Sequence, residues 1–193
     1  MTKKILIFNA NPRKESFNAS LAKSYLKGAE NAGFDAETVN LIDLEFDPIL
    51  RYGYSGDQEL EPDLKVMQEK ITAADHLVFV FPVWWGTYPA LLKGFIDRTF
   101  TAGFAFKFRG DTLKWDRLLP GKTARLIMTM DTPKWYYSLG YKSPAVNSLK
   151  KCIMEFCGIK PVKTTIFSPI RKSDERQRSQ WLKEVEKLGN DLR

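Results

Sequence analysis

The feature that most constrains the fold of this chain is the alternation of short apolar segments with longer amphipathic ones. The short segments are rich in β-branched and aromatic residues, which favours strands, and the longer ones repeat apolar residues at helical spacing. Strands that alternate with helices are typical of an α/β fold, in which right-handed helical crossovers join parallel strands. We predict strands at residues 4–10, 36–41, 76–81, 124–130 and 162–167, and helices at residues 18–32, 63–74, 89–101, 144–157 and 174–192.

Two of the predicted strands, 76–81 and 124–130, are almost entirely apolar. Such strands are covered by helices on both faces and therefore lie in the middle of the sheet. A doubly wound five-stranded parallel sheet commonly has the strand order 2-1-3-4-5 and binds ligands beyond the carboxyl ends of its strands, near the switch point between strands 1 and 3. Because the chain has 193 residues and no repeat or linker, residues 1–193 are expected to form one such domain.

The composition argues against several other classes of protein. The net charge is +7, but the 30 Lys and Arg residues are spread along the chain, which favours solvated surfaces over a nucleic-acid-binding patch. The first apolar segment is too short for a signal sequence or a membrane span. Cys152 and Cys157 are expected to be buried reduced thiols rather than a metal site or a redox pair. We therefore expect a cytoplasmic protein that binds small molecules and no metal.

The loop after the first strand, residues 11–18, contains no glycine. A dinucleotide-binding fingerprint and a P-loop both need glycines so that the backbone can approach phosphates, which argues against both motifs. Ser16 and Asn18 can cap the helix that follows, and the free N–H groups of its first turn form a site for phosphate. The alternative is an ordinary capped helix without a ligand.

The loop after the third strand places two adjacent tryptophans, Trp84 and Trp85, at the carboxyl end of the sheet. Neighbouring side chains diverge, so at least one of these rings is expected to face the cleft. An aromatic face beside Gly86, where the backbone can approach a ligand closely, suits a planar heterocycle. The alternative is that the tryptophans line a subunit interface. In the following helix, Gly94 suggests the close approach of another backbone or of a ligand.

The loop after the fourth strand, residues 129–137, brings hydroxyl groups, a lysine and aromatic rings to the same edge of the sheet. Tyr136 or Tyr137 can donate a proton or a hydrogen bond to a reduced acceptor, or can pack as part of a lid. The single histidine, His76, begins the third strand, away from the carboxyl ends. A structural role is therefore expected for His76.

Several of these segments resemble the NAD(P)H:quinone reductase family. The similarity is carried by Ser16-Phe17-Asn18 and by residues 81–98, and it extends through residues 103–106 and 156–158. It implies a flavodoxin-like homodimer with one flavin per subunit, usually FAD, with FMN as the alternative. It also implies NAD(P)H as the electron donor and a quinone or a similar flat molecule as the acceptor.

The resemblance also implies roles for individual residues. Tyr137 matches the family's active-site tyrosine and is the expected catalytic residue, whereas the histidine that accompanies it in the mammalian enzymes is replaced by Ser143. The walls of the acceptor pocket are expected to be Trp84, Phe104, Phe106 and Tyr137. The residues expected at the flavin are Asn11, Ser16, Phe17 and Asn18 at the phosphates and ribityl chain, Pro82, Val83, Trp84, Trp85 and Gly86 at the isoalloxazine ring, and Thr129, Asp131 and Thr132 in the third loop.

The function predicted from the sequence is two-electron hydride transfer from NAD(P)H, by way of the flavin, to a quinone in a ping-pong reaction. Two alternatives are a one-electron carrier of the flavodoxin type and a flavin-bound regulatory subunit of a membrane transporter. Flavodoxin-type carriers are usually strongly acidic, whereas this chain has a net charge of +7. Co-purification with a membrane partner would distinguish the transporter subunit.

Overall fold

The computed structural model describes residues 2–53 and 58–192. The strands in these ranges are β1 (Lys4–Asn9), β2 (Asp35–Asn40), β3 (His76–Pro82), β4 (Phe106–Phe108), β5 (Trp115–Arg117), β6 (Thr123–Thr129) and β7 (Val162–Phe167). The helices are α1 (Phe17–Asn31), a 3₁₀ turn (Leu41–Asp43), α2 (Pro62–Ala73), α3 (Ala90–Thr99), α4 (Lys134–Leu139), α5 (Pro144–Val146), a π-helical segment (Asn147–Met154) that continues into α6 (Glu155–Cys157), and α7 (Glu175–Asn190). Every predicted strand and helix is present, and the predicted helix 144–157 is the continuous run from α5 to α6.

The main sheet has five parallel strands in the spatial order β2-β1-β3-β6-β7. In its register, Phe8 of β1 lies beside Val39 of β2 and Phe79 of β3. The predicted five-stranded parallel sheet is therefore present. The strand numbering along the chain differs from the prediction because a short antiparallel ribbon of β4 and β5 precedes β6. The sequence did not reveal this ribbon, since its strands have only three residues each and periodicity needs a longer run to be recognised.

Each face of the main sheet carries its own hydrophobic core, because successive strand residues point to opposite faces. Phe8 and Phe79 belong to the core that includes residues of α2 and α3. Ile7 and Val78 belong to the core that includes residues of α1 and α7. Burial on both faces explains why β3 is buried at every position. This packing holds the carboxyl ends of β1, β3 and β6 side by side.

The segment that follows the 3₁₀ turn packs closely against α3. A Cβ on Gly94 would lie 2.4 Å from the Cβ of Pro48 and 2.6 Å from its carbonyl oxygen, so only glycine allows this contact. The close approach predicted at Gly94 is confirmed, and the neighbour is another part of the backbone. The buried Arg98 guanidinium anchors the same region by donating to the Glu59 carbonyl at 2.9 Å and to the Glu61 carboxylate at 3.1 and 2.9 Å.

His76 is buried at the start of β3, as its predicted structural role requires. Its Nε2 lies 3.1 Å from the Tyr25 hydroxyl and its Nδ1 lies 2.6 Å from the Thr123 hydroxyl. Burial, together with the nearby positive charges of Arg125, Lys3 and Lys163, lowers the pKa of His76 to about 4. The imidazole is therefore neutral at pH 7 and belongs to the interior hydrogen-bond network.

The two cysteines differ in exposure. Cys157 is buried, as expected, but Cys152 is exposed on the π-helical segment, so the expectation that both are buried was wrong. In residues 2–53 and 58–192, no helix is both long and apolar enough to cross a membrane. The same residues contain no cluster of three or more His, Cys, Asp or Glu side chains that could hold a metal ion.

Candidate active site

A cleft of about 790 Å³ opens at the carboxyl ends of β1, β3 and β6, which is the edge of the sheet where doubly wound folds bind ligands. A cavity of this size is typical of cofactor and small-molecule sites. Among the residues predicted at a flavin, all except Trp85, Gly86 and Thr132 line it. The complete lining is Asn11, Arg13, Lys14, Glu15, Ser16, Phe17, Asn18, Ala19, Ser20, Lys23, Pro82, Val83, Trp84, Thr129, Met130, Asp131 and Ile170.

The N-terminus of α1 opens onto this cleft. Ser16 is its N-cap, with an extended backbone and an Oγ that accepts a hydrogen bond from the Ala19 N–H at 3.2 Å. The N–H groups of Phe17 and Asn18 have no acceptor inside the helix, because no turn precedes them. Such N–H groups and the positive end of the helix dipole bind phosphate. Lys23 also lines the cleft and adds a positive charge to this end of it.

A buried network of amide side chains forms another part of the wall. The Asn18 Oδ1 accepts hydrogen bonds from the Asn11 Nδ2 at 3.0 Å and from the Thr129 hydroxyl at 3.1 Å. Asn11 is itself held in place, because its backbone N–H donates to the Asn9 Oδ1 at 3.3 Å. The Asn18 Nδ2 is buried and has no partner among the described residues. A buried donor without an acceptor is costly, so this group fits a ligand acceptor placed in the cleft.

The loop after β3 closes into a two-residue hairpin turn. Trp84 and Thr87 pair in antiparallel fashion, with N–H to carbonyl distances of 2.8 and 3.0 Å. Trp85 and Gly86, between them, have φ angles of 51° and 78°, which is the pattern of a type I′ turn. Glycine adopts a positive φ freely, but a bulky aromatic residue does so only under strain. Trp84 lines the cleft, whereas Trp85 is fully exposed and projects from the turn.

The loop between β6 and α4 is tied to the loop that follows β7. Asp131 lines the cleft, but its carboxylate accepts a hydrogen bond from the Arg171 N–H at 2.6 Å and faces the Arg171 guanidinium at 3.4 Å. The carbonyl of Thr132 accepts a hydrogen bond from the Ser168 hydroxyl. The negative charge of Asp131 is therefore balanced by Arg171, which reduces its repulsion of an anionic ligand. Thr132 supports the loop and does not line the cleft.

Tyr137 does not line the cleft. Its side chain has no exposed surface, and its hydroxyl donates to the Gly86 carbonyl at 3.2 Å and accepts from the Ala145 N–H at 3.0 Å. Burial raises the pKa of this phenol, and the backbone N–H groups of Ala145 and Val146 only partly oppose the effect. Tyr137 is therefore not part of the cleft wall in the single chain, and its place in an acceptor pocket shared between subunits stays a prediction. Its single hydroxyl proton is engaged by the Gly86 carbonyl, so donation to an acceptor would require this hydrogen bond to break.

Phe106 and Phe104 lie away from this cleft. Phe106 lines a second, apolar groove of about 540 Å³ between α3, the β4–β5 ribbon and the π-helical segment. Its ring centroid is 5.2 Å from that of Phe156, which lines the same groove. Phe104 is half-buried against the core and lines neither cavity. Within one chain neither residue lines a cavity with Trp84, and the acceptor pocket that they were predicted to share stays a prediction.

Several lining residues were not found from the sequence. Arg13, Lys14 and Lys23 were treated as solvated surface charges, and Lys14 indeed forms an ion pair with Asp43. The place of Lys23 in the cleft lining could have been predicted, because Lys23 follows Ser16 by two helical turns and so lies on the same face of α1. No sequence signal pointed to Ile170, since it belongs to the loop after β7, and the switch-point rule does not select that loop.

Comparison with known proteins agrees with this geometry. The chain matches the family model described as having the flavodoxin-like fold over residues 3–188. It is 25% identical to NAD(P)H dehydrogenase (quinone) 1 of Cavia porcellus, over 98% of this chain and 78% of that protein. The solved structure of Smu.1420 from Streptococcus mutans UA159 is 32% identical, with a TM-score of 0.82 over 97% of this chain and 99% of that one. An FMN-dependent NADH-azoreductase from Bacillus anthracis str. Ames Ancestor, solved in complex with FMN, shares the fold at 22% identity and a TM-score of 0.75, over 99% of each chain.

Proposed function

We propose that this protein, which belongs to the flavodoxin-like fold family, is a flavin-dependent oxidoreductase that uses NAD(P)H to reduce quinones or similar flat acceptors. The name of the Cavia porcellus relative supports the donor and the acceptor class, and the FMN complex of the azoreductase supports a flavin. The observation in this chain that carries the proposal is the cleft itself. There the unpartnered Asn18 amide and the open N-terminus of α1 lie with Trp84 at the switch point of the sheet.

The residues of the cleft fit both ends of a flavin. The phosphate would be held by the Ser16 hydroxyl and by the N–H groups of Phe17 and Asn18, with the Asn18 Nδ2 as a further donor. The isoalloxazine ring would be held by the loop after β3, where closing the turn uses the N–H groups of Trp84 and Thr87 and leaves those of Trp85 and Gly86 for a ligand. A cleft without such donors would not orient a polar, planar ring.

A bound flavin supplies the redox chemistry, since it accepts two electrons from NAD(P)H and passes them to the acceptor. The chain contributes orientation and electrostatics. The backbone N–H groups of Trp85 and Gly86, fixed in direction by the turn, would stabilise negative charge on a flavin ring bound beside them. Trp84 offers an aromatic face to a flat acceptor, which suits quinones better than bulky or strongly charged substrates.

Between the two flavins, we propose FAD. Lys23 lines the cleft near the phosphate site and would favour the second phosphate of FAD by electrostatic attraction. FMN remains the alternative. Release of the cofactor by heat, followed by chromatographic identification, decides between them.

We further propose that residues 1–193 act as one flavin-binding domain and that two copies form a dimer. The groove lined by Phe106 and Phe156 is apolar, and Phe108 at its edge is exposed. Apolar surface is costly to leave in water, at about 25 cal/mol per Å². A two-fold partner that covers this groove would bring Phe106 towards an acceptor pocket shared between subunits. Full activity in a demonstrated monomer would contradict this arrangement.

The first test is the colour of the purified protein. We expect a yellow protein with the absorption of an oxidised flavin, because the cleft offers donors for the phosphate and the ring. A colourless protein that also fails to take up added FAD and FMN would refute the proposed function.

The second test is steady-state kinetics with NAD(P)H and a quinone varied together. If both molecules use the same face of the flavin, they exclude each other, and the double-reciprocal plots show the parallel lines of a ping-pong reaction. Intersecting lines would indicate two separate sites.

No observation on the described residues favours the one-electron carrier or the transporter subunit. The two free cysteines are consistent with a cytoplasmic location, which we also propose.

A further inference from the structure

We propose that Tyr137 is a positioning residue whose buried hydroxyl joins the turn at Trp85–Gly86 to the start of α5 and so keeps that strained turn in shape for the flavin ring. The inference rests on the proposed function, since the turn matters for catalysis only if a flavin binds beside it. It assigns to Tyr137 a role other than proton donation.

The hydrogen bonds of the Tyr137 hydroxyl connect two separate parts of the chain. The O–H donates to the Gly86 carbonyl at 3.2 Å, and the oxygen accepts from the Ala145 N–H at 3.0 Å. The two parts also lie close together, because a Cβ built on Gly86 would reach to within 3.5 Å of the Cγ of Pro144. The turn is therefore supported from one side by the beginning of α5, with Tyr137 between them.

The bond to Gly86 acts on the peptide group that closes the turn. The Gly86 carbonyl and the Thr87 N–H belong to one peptide unit, and this N–H donates to the Trp84 carbonyl at 3.0 Å. Donation to a carbonyl polarises its peptide group and strengthens the hydrogen bond made by the N–H on the other side. The Tyr137 hydroxyl thereby reinforces the bond that holds Trp85 at a φ of 51°.

Without this support, the turn should relax, because a bulky residue at positive φ persists only where its surroundings over-determine it. The N–H groups of Trp85 and Gly86 would then lose their fixed direction. The expected consequence is a moderate loss of turnover, about two- to tenfold, which corresponds to one neutral hydrogen bond. If Tyr137 were instead a general acid in the reaction, removal of its hydroxyl would lower turnover by about 100-fold or more.

The first experiment compares Tyr137→Phe with Tyr141→Phe by hydrogen exchange on the purified protein and again after flavin removal. Tyr141 is a matched control, because its ring packs against that of Tyr137 while its side chain is exposed. We expect the amides of Thr87 and Ala145 to exchange at least about threefold faster in Tyr137→Phe and to stay unchanged in the control. Unchanged exchange at both amides in Tyr137→Phe would overturn the proposal.

The second experiment separates positioning from proton transfer. It keeps the Tyr137 hydroxyl, so it can be carried out even if Tyr137→Phe does not fold. A fluorotyrosine at position 137 keeps the hydrogen bonds but lowers the hydroxyl pKa. A positioning role predicts an unchanged pH profile for quinone reduction, and a proton donor predicts a shifted one. A shifted profile, or a loss of 100-fold or more in Tyr137→Phe, would overturn the proposal. If the wild-type protein binds no flavin at all, the proposed function fails, while the exchange measurement still decides whether Tyr137 supports the turn.

Discussion

The free energy of unfolding is expected to fall by about 2 kcal/mol between pH 7 and pH 5 because of His76. The folded state holds this imidazole neutral, since burial lowers its pKa to about 4 from an ordinary value of 6.5. In the unfolded chain the ring is solvated and takes up a proton as the pH falls through 6.5. Between the two pKa values the unfolded state binds more protons, so acidification favours unfolding.

The magnitude follows from the difference between these pKa values. Each unit of pKa difference corresponds to about 1.4 kcal/mol, so the full effect is about 3 kcal/mol once the pH lies below both values. At pH 5 the unfolded ring is almost fully protonated and the folded ring is still mostly neutral, which gives about 2 kcal/mol relative to pH 7. His76 is the single histidine of the chain, and carboxylates of ordinary pKa titrate mainly below this window.

The assay is urea unfolding followed by circular dichroism at pH 7, 6 and 5 and constant ionic strength, with the free energy obtained by linear extrapolation. The control variant is His76→Gln, which does not titrate but can still form hydrogen bonds with Tyr25 and Thr123. Between pH 7 and pH 5, the free energy of unfolding should fall by about 2 kcal/mol more in the wild-type protein than in the variant. Equal pH dependence in the two proteins would refute the reasoning, since His76 would then have the same pKa in the folded and unfolded states.

Three further predictions concern the cleft and its supports. The double substitution Ser16→Ala with Asn18→Ala should weaken flavin binding by about 1–3 kcal/mol in a fluorescence titration, because hydrogen bonds to a charged phosphate are lost. The control is Ser24→Ala, on the same helix but outside the cleft lining. Unchanged flavin affinity in the folded double variant would contradict the assignment of Ser16 and Asn18 to the phosphate. Gly94→Ala should lower the free energy of unfolding by about 1–3 kcal/mol, because its Cβ would collide with the backbone of Pro48, and a stabilised variant would show that helix propensity outweighs this contact. Trp85→Asn should raise the free energy of unfolding by about 1 kcal/mol, because Asn tolerates the left-handed region. A variant that is less stable than the wild-type protein would contradict this reasoning.

Most of the fold could be predicted because its signals are local. The apolar runs of β3 and β6 are long and buried on both faces, so hydrophobicity alone identifies them as central strands. The β4–β5 ribbon had no such signal, because Lys107 and Asp116, paired across it, are polar residues on short exposed strands. Its position is set by packing against the helical run from α5 to α6, where Trp115 stacks on Phe156 with centroids 4.6 Å apart. A tertiary contact of this kind leaves no periodicity in the sequence.

The candidate site was predictable where one loop forms it and not where two loops meet. Ser16 and Asn18 were found because a helix N-cap is encoded within a few neighbouring residues. The engagement of Asp131 by Arg171 was not found, because these residues are far apart in sequence and meet only when the loops after β6 and β7 converge. The same limit applies to Tyr137, whose residue type suits proton transfer. Only its burial and its contacts with Gly86 and Ala145 show that the hydroxyl is already engaged.

The turn after β3 is the place where local sequence preference and structure disagree most. A type I′ turn favours Asn or Gly at its first central position, yet this chain has Trp85 there at a positive φ. Conflicts of this kind are expected at functional sites, where a side chain or a backbone direction is needed that the local preference would not select. Here the strained residue is fully exposed, so core packing cannot explain it, while the paired bonds between Trp84 and Thr87 and the buried hydroxyl of Tyr137 hold its backbone. The strain therefore supports the proposed role of this turn at the flavin ring on physical grounds that are independent of any relative.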